Sequence, residues 1–140
     1  MTRRPRSGGS ILRIDDYFTQ IKATIAAAVI VHTSVVAYDI RGPFEGYIRG
    51  ELALLDGSTL HIREYVDVEM MSERLTYAYH YADVTGTLVF RYDNTDHHRR
   101  LNLPTHPHHK HDGAEDRVVA SPAPDLTAVL AEIEALIRLP

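Results

Sequence analysis

The length, composition and charge of the chain exclude several classes of protein. Its 140 residues suit one compact domain, its hydrophobic content of 44% is ordinary for a globular protein, and it has no cysteine for a disulfide, a thiolate metal site or a cysteine nucleophile. The net charge of −4 with neutral histidines excludes a generally basic nucleic-acid-binding protein, because neutralising phosphates requires a concentrated cationic surface. No apolar run reaches the roughly 18 residues of a membrane span, and the lack of cysteine suits a reducing compartment. We therefore expect a cytoplasmic protein that does not enter a membrane.

The chain begins with a basic segment that is followed by an amphipathic helix. Residues 1–10 are rich in arginine and glycine and predict a flexible tail, and residues 11–140 predict a single α+β domain. From Ile14 onward, apolar residues recur at spacings of three or four, and acidic residues occupy the first turn, where the helix dipole favours negative charge. We predict an N-terminal helix that ends near His32.

An antiparallel sheet is predicted after this helix. Alternating apolar residues are typical of strands, and Asp56-Gly57 is a strong hairpin signal. Because short connections join antiparallel neighbours, we predict a meander of about five strands, covered on one face by an N-terminal and a C-terminal helix. The predicted strands are residues 35–41, 46–55, 59–68, 74–83 and 88–92.

The C-terminal third of the chain is predicted to contain a long loop and a second helix. Residues 94–124 form the loop, and a loop of this length in a small domain is usually functional or disordered. A helix with one apolar stripe then starts after Asp125, which we predict as its N-cap. A ligand would bind the sheet face that the helices leave open.

Histidines are concentrated in residues 97–111, and this segment is the predicted functional centre. Histidine titrates near neutral pH, so it can act as an acid, a base or a metal ligand there. One hypothesis is RNA cleavage without metal: one imidazole deprotonates the ribose 2′-hydroxyl, a second protonates the departing 5′-oxygen, and a cation stabilises the phosphorane. Arg63, Arg91 and Lys110 are the candidate cations.

Two other interpretations of the histidines remain open. One is a divalent transition-metal site, although no zinc-finger or zincin spacing is present. The other is a solvated, flexible histidine-rich loop. The candidate ligands of the metal alternative are His106, His108, His109 and His111.

Residues on the predicted strands add to these candidates. Glu64 lies on an otherwise apolar side of its strand, where a carboxylate must be paired or have a raised pKa. Tyrosines at alternate positions from Tyr77 are predicted to pack in the core, which places His80 on the opposite side of that strand, next to His61 if the register allows. The segment 91–94 ends the last strand and is placed to form one wall of a site.

Several segments resemble one known family. The strings GYIRGELALLDGSTLHIREYVDVE, YAYHYADVTGTLVFRYDNTDHH and PHHKH…SPAPDLTAVLAEIE are similar to the TumE-type toxins of bacterial toxin–antitoxin pairs, over about residues 12–137. Asp96 stands where a proline is expected, and this departure leaves the histidines intact. The positions that match the family pattern are Arg63, Glu64, His80, Arg91, Asp93, Asn94, His97, His98, His108, His109, Lys110 and His111.

The resemblance implies a growth-inhibiting toxin with a cognate antitoxin, acting as a ribonuclease on RNA. We expect no cofactor, with a divalent transition metal as the alternative. A metal-dependent hydrolase and a non-enzymatic inhibitory module remain alternatives, and a homodimer is left open. Among the histidines, we favour His80 and His109. The acid–base candidates are His80, His97, His98, His108, His109, His111 and Glu64, and the substrate-binding candidates are Arg63, Arg91, Asp93, Asn94 and Lys110.

Overall fold

The computed structural model describes residues 12–70 and 73–138, which form an α+β structure. The predicted basic tail, residues 1–10, lies outside the described residues. Two helices stand at the two ends of the described chain, with one antiparallel sheet between them, as predicted. The elements are α1 (Ile14–Ala27), β1 (Val31–Ile40), β2 (Glu45–Leu54), β3 (Thr59–Asp67), β4 (Glu73–Ala82), β5 (Leu88–Asp93), a short 3₁₀ helix (Asp96–Leu101), β6 (His109–Asp112), β7 (Val118–Ala120) and α2 (Leu126–Arg138).

The sheet has seven strands among the described residues, in the order β1-β2-β3-β4-β5-β6-β7. Each strand is antiparallel to its neighbour in sequence, so the predicted meander is confirmed and the predicted number of about five strands is too low. The two additional strands lie in residues 94–124, which were predicted to be loop. Because β6 is short and its residues are polar, it lacks the apolar alternation that identifies a strand, and its pairing with β5 defines it.

The first helix is shorter than predicted, because it ends at Ala27 rather than near His32. The β-branched residues that follow lose side-chain freedom in a helix and favour extended backbone, and β1 already begins at Val31. The second helix begins as predicted, with the Asp125 carboxylate accepting a 2.9 Å hydrogen bond from the backbone N–H of Ala128. None of the helices in the described part of the chain is long and apolar enough to cross a membrane.

Both helices pack on one face of the sheet, and the core lies between them and that face. The buried tyrosines Tyr77, Tyr79 and Tyr81 of β4 belong to this core, as predicted. The helix α1 approaches β2 so closely that a Cβ atom at Gly46 would lie 2.5 Å from Cζ of Phe18. The opposite face of the central strands is therefore the open one, and the polar side chains of β3 and β4 project from it.

Candidate functional site

The register of the central strands brings cations and histidines together on the open face. Arg49 of β2 pairs with Arg63 of β3, His61 of β3 pairs with His80 of β4, and His80 pairs with Arg91 of β5. Side chains on one face of neighbouring strands lie close enough to act on a single ligand. The cleft has a volume of about 370 Å³ and is lined by Arg49, Gly50, His61, Ile62, Arg63, Ala78, His80 and Arg91.

The two imidazoles in this cleft face each other across β3 and β4. The ring centroids of His61 and His80 lie 6.1 Å apart, with the rings nearly perpendicular. Nδ1 of His61 lies 3.7 Å from a carboxylate oxygen of Glu51, which is also exposed. Burial, together with the positive charge of Arg91, lowers the pKa of His80 below its ordinary value. His80 is therefore held mainly as a neutral base at pH 7.

Asp93 at the end of β5 connects the cleft to the histidines that follow. Its Oδ2 accepts a 3.0 Å hydrogen bond from Nε of Arg91, and its Oδ1 accepts hydrogen bonds from the backbone N–H and the hydroxyl of Thr95, both 3.0 Å. Burial alone raises the pKa of Asp93, but the Thr95 hydrogen bonds and the nearby His109 and Arg91 lower it overall. Asp93 is thus a buried carboxylate that orients Arg91.

Three of the predicted histidines lie together beyond Asp93. His109 and His111 of β6 are buried, with exposed fractions of 1% and 6%, and His98 of the 3₁₀ helix lies over them. Nε2 of His109 is 2.8 Å from Oδ1 of Asp93, and Nε2 of His111 is 3.5 Å from its Oδ2. The predicted loop therefore does fold against the sheet, and it brings these three imidazoles to the edge of the cleft.

Lys110 lies between His109 and His111 in β6, and its side chain projects from the opposite face of the sheet. Lys110 lies over the rings of Phe90 and Tyr92, with its ammonium 3.2 Å from the Glu132 carboxylate of α2. Successive side chains in a strand alternate between faces, so Lys110 is on the helix-covered face and is not beside His109 as a phosphate-binding cation.

His108 also belongs to a contact outside the cleft. It stacks on Tyr77, with the rings inclined by 15°, and its Nδ1 lies 2.8 Å from the Tyr77 hydroxyl. Burial, and then the charge of Arg74, lower the pKa of His108. The structure therefore separates His108 from the other predicted acid–base residues.

Glu64 is likewise on the covered face, where it was predicted to need a partner. Its carboxylate accepts 2.5 Å hydrogen bonds from the hydroxyls of Tyr17 and Tyr79. Burial raises the pKa of Glu64, against the opposing effects of these hydrogen bonds and of Arg74. The partners are therefore mainly tyrosines, and Glu64 does not meet the histidines on the open face.

The remaining predicted residues lie outside the cleft. Asn94 joins β4 to β5, accepting a hydrogen bond from the backbone N–H of Tyr77 and donating one to the carbonyl of Leu75. His106 lies 2.6 Å from the Asp96 carboxylate, through Nε2. The backbone of His97 belongs to the 3₁₀ helix, but its side chain is outside the described part of the structure.

Arg49 is the cleft residue that sequence reasoning missed. The register pairs Arg49 directly with Arg63, a predicted candidate, but counting outwards from Asp56-Gly57 as a two-residue turn would pair Arg49 with Glu64, so the turn signal alone does not find it. Both residues have the same orientation because paired residues in antiparallel strands project from the same face.

A larger cavity lies on the other side of the molecule, between the two helices. Its volume is about 480 Å³, and alanines, Ile30 and Leu130 form most of its lining. Glu134 is the one titratable side chain in that lining. The lining of this cavity therefore lacks the paired imidazoles and the arginines that line the cleft on the open face.

Together, the fold and the open face define a class: small α+β proteins in which an antiparallel sheet displays a cationic, histidine-bearing surface. The family model described as "Toxin TumE" matches residues 18–137, which is most of the chain. The chain belongs to the TumE toxin family, and so it is the toxin of a toxin–antitoxin pair with a cognate antitoxin partner. No curated protein and no solved structure matches it.

Proposed function

We propose that this toxin is a cytoplasmic ribonuclease that cleaves single-stranded RNA in the cleft of the open face. The observation that carries the proposal is the His61–His80 pair, with ring centroids 6.1 Å apart and three arginines around it. Two imidazoles flanking one phosphate can supply a base on one side and an acid on the other. This assignment uses His61 in place of His109, because His109 is only 1% exposed and cannot reach a polymer substrate.

In the proposed reaction, His80 acts as the base and His61 as the acid. Neutral His80 accepts the proton of the ribose 2′-hydroxyl, and the 2′-oxygen forms a bond to phosphorus. Protonated His61 then gives its proton to the 5′-oxygen as the phosphorus–oxygen bond to that atom breaks. The products are a 2′,3′-cyclic phosphate and a free 5′-hydroxyl. The lowered pKa of His80 supports the base role, and exposure of His61 to solvent suits the exchange of its proton.

The three arginines have separate tasks in this proposal. Arg91 is oriented by Asp93 and lies next to His80, so it stabilises the negative charge that develops on the phosphorane. Arg49 and Arg63 are exposed and adjacent, and they bind neighbouring phosphates of the strand. Planar guanidinium groups suit this task because they form paired hydrogen bonds to phosphate oxygens.

The test is cleavage of a mixed-sequence single-stranded RNA by the purified full chain. Replacing either His61 or His80 with alanine should lower kcat by roughly 100-fold to 10,000-fold, the usual contribution of general acid–base catalysis. His32→Ala is the matched control, because His32 is exposed on β1 and does not line the cleft. Mass spectrometry of the wild-type products should detect 2′,3′-cyclic phosphate ends, and a DNA strand of the same sequence should remain intact.

Expression in a bacterial host separates this proposal from an inhibitory binding module. Wild type should arrest growth with fragmented RNA, whereas His80→Ala should do neither. Growth arrest by both proteins with intact RNA would contradict the proposal and favour inhibition by binding alone.

A further inference from the structure

Three imidazoles meet at one point beyond the cleft. The ring centroids of His98, His109 and His111 are 4.7, 5.4 and 5.0 Å apart in pairs. One nitrogen from each ring can be chosen so that all three lie within 4.8 Å of one another. They come from two different segments, the 3₁₀ helix and β6, so the folded chain creates this group.

Hydrogen bonds to the backbone define the tautomers of the two buried rings. Nδ1 of His109 donates to the carbonyl oxygen of Pro107 at 2.9 Å, and Nδ1 of His111 donates to that of Glu115 at 2.7 Å. A carbonyl oxygen only accepts, so Nδ1 of each ring carries a hydrogen and Nε2 of the neutral ring has a free lone pair. Metal-binding histidines are usually oriented in this way, by a hydrogen bond from the other ring nitrogen.

The Nε2 atom of His109 is an unsatisfied buried group. It lies 2.8 Å from Oδ1 of Asp93 without forming a hydrogen bond to it, and it has no other hydrogen-bond partner among the described residues. A neutral ring in this position sets a nitrogen lone pair against a carboxylate, which is costly in a buried site. A cation bound to that nitrogen removes the conflict.

We propose that His98, His109 and His111 bind one divalent transition-metal ion of the zinc class. Imidazole nitrogens suit zinc, nickel, copper or iron, and the adjacent Asp93 carboxylate balances part of the ion's charge. Metal–nitrogen bonds of about 2.0–2.1 Å hold neighbouring donors roughly 3.3 Å apart, so the rings close in slightly on the ion. This proposal does not depend on the ribonuclease function.

The structure selects a different ligand set from the one that the sequence offered. His109 and His111 are two residues apart on a strand and share a face, whereas His108 projects to the other side and stacks on Tyr77. His106 contacts the carboxylate of Asp96 instead. The ion joins His98 of the 3₁₀ helix to β6, next to the carboxylate that orients Arg91 in the cleft.

The experiment is calorimetric titration with Zn²⁺ of the full chain, purified without a histidine tag and stripped with EDTA. Wild type should bind one ion per chain, and its thermal unfolding midpoint should rise with added Zn²⁺, because a ligand that binds only the folded state stabilises it. His98→Ala should lower the affinity at least about tenfold, since it removes one of three ligands. His106→Ala, in the same segment, is the control and should bind as wild type does.

A second variant guards against misfolding of the first. His111→Asn removes the Nε2 ligand atom, while its amide lies near the former Nδ1 position and can still donate a hydrogen bond to the Glu115 carbonyl, and it should also lose Zn²⁺ binding. Circular dichroism establishes that each variant is folded. Two results would overturn the proposal. Wild type would bind no Zn²⁺ if a protonated His109 faced Asp93 instead of a metal ion. Folded variants at positions 98 and 111 would bind Zn²⁺ as tightly as wild type if these residues were not ligands. Because no RNA is present, this result is independent of the cleavage assay.

Discussion

His80 occupies a half-buried position on β4 where nearby charges control its protonation. Burial and Arg91 lower its pKa most, Glu115 raises it, and His61 and His111 lower it further. A base must be neutral to act, so kcat/KM should fall at low pH. The apparent pKa of that fall should lie below 6.5, the ordinary histidine value. Rate measurements across pH 4–8 check this expectation.

The variant Arg91→Gln tests the cause of that shift. It removes a positive charge beside His80, so the pKa of His80 should rise and the acidic limb should move to higher pH, in addition to any loss of rate. Arg49→Gln removes an equal charge from the cleft and is the control, because Arg91 is the arginine whose charge lowers the pKa of His80. An acidic limb that stays in place in Arg91→Gln would argue against His80 as the base.

Glu64 provides a second prediction, on stability. Its pKa is raised in the folded state, so above about pH 4.5, its ordinary value, the unfolded chain ionises this carboxyl more readily than the folded protein does. This group therefore lowers the free energy of unfolding as the pH rises from 4.5 towards the raised pKa. Glu64→Gln should remove that decrease, and so its free energy of unfolding relative to wild type should increase as the pH rises above 4.5.

Urea unfolding at several pH values measures this difference. Because Glu64 is on the covered face with Tyr17 and Tyr79, RNA cleavage by Glu64→Gln should remain close to the wild-type rate. A large loss of cleavage in a folded Glu64→Gln protein would instead support the catalytic role that the sequence suggested for this residue.

The contact between α1 and β2 determines how closely a helix can cover the sheet. A Cβ atom at Gly46 would lie 2.5 Å from Phe18 and 2.6 Å from Ile14, so Gly46→Ala should destabilise the protein by about 1–3 kcal/mol, the usual cost of overpacking a core. At Gly42 an added Cβ meets nothing within 4 Å, and Gly42→Ala is the matched control. Equal unfolding midpoints for the two variants would show that α1 can move away at no cost.

The strands β1 to β5 could be predicted from the sequence, but β6 and β7 could not. The first five contain apolar residues at alternate positions and are separated by turn residues, which are local signals. The backbone of His109 to Asp112 is extended because it pairs with Phe90 to Asp93, and a single sequence contains no sign of that pairing. The same limit applies to the 3₁₀ helix that carries His98.

The sequence predicts those candidate-site residues whose face is given by the alternation of side chains along a strand. The prediction places His80 opposite the tyrosines, which their burial confirms; its pairing with His61 depended on the register, and the register brings the two together. The sequence predicts a loop for residues 94–124, however, and a loop prediction does not say which side chains share a face. The sequence therefore could not separate His109 and His111 from Lys110, although they project from opposite sides of β6.

Over the whole molecule, a net charge of −4 coexists with three arginines in one cleft. Binding of single-stranded RNA should therefore weaken as salt is added, because each arginine–phosphate contact releases bound counterions. A plot of log Kd against log salt concentration should have a slope of about 2, which is roughly 0.7 for each of three phosphate contacts. Arg49→Ala and Arg63→Ala should each reduce that slope by about 0.7. Fluorescence anisotropy with a labelled RNA across a salt series, using His80→Ala protein to prevent cleavage, measures it.

The order of the strands has a consequence for timing in the cell. Every strand pairs with the one made just before it, and chains dominated by such local pairings fold quickly. The cleft residues lie on β2 to β5, so the proposed RNA-cleaving surface can assemble while the last part of the chain is still being translated. The interval between synthesis and activity is then short. A cell that makes this toxin is safest when its antitoxin has been produced beforehand, and a gene order that places the antitoxin first would meet that requirement.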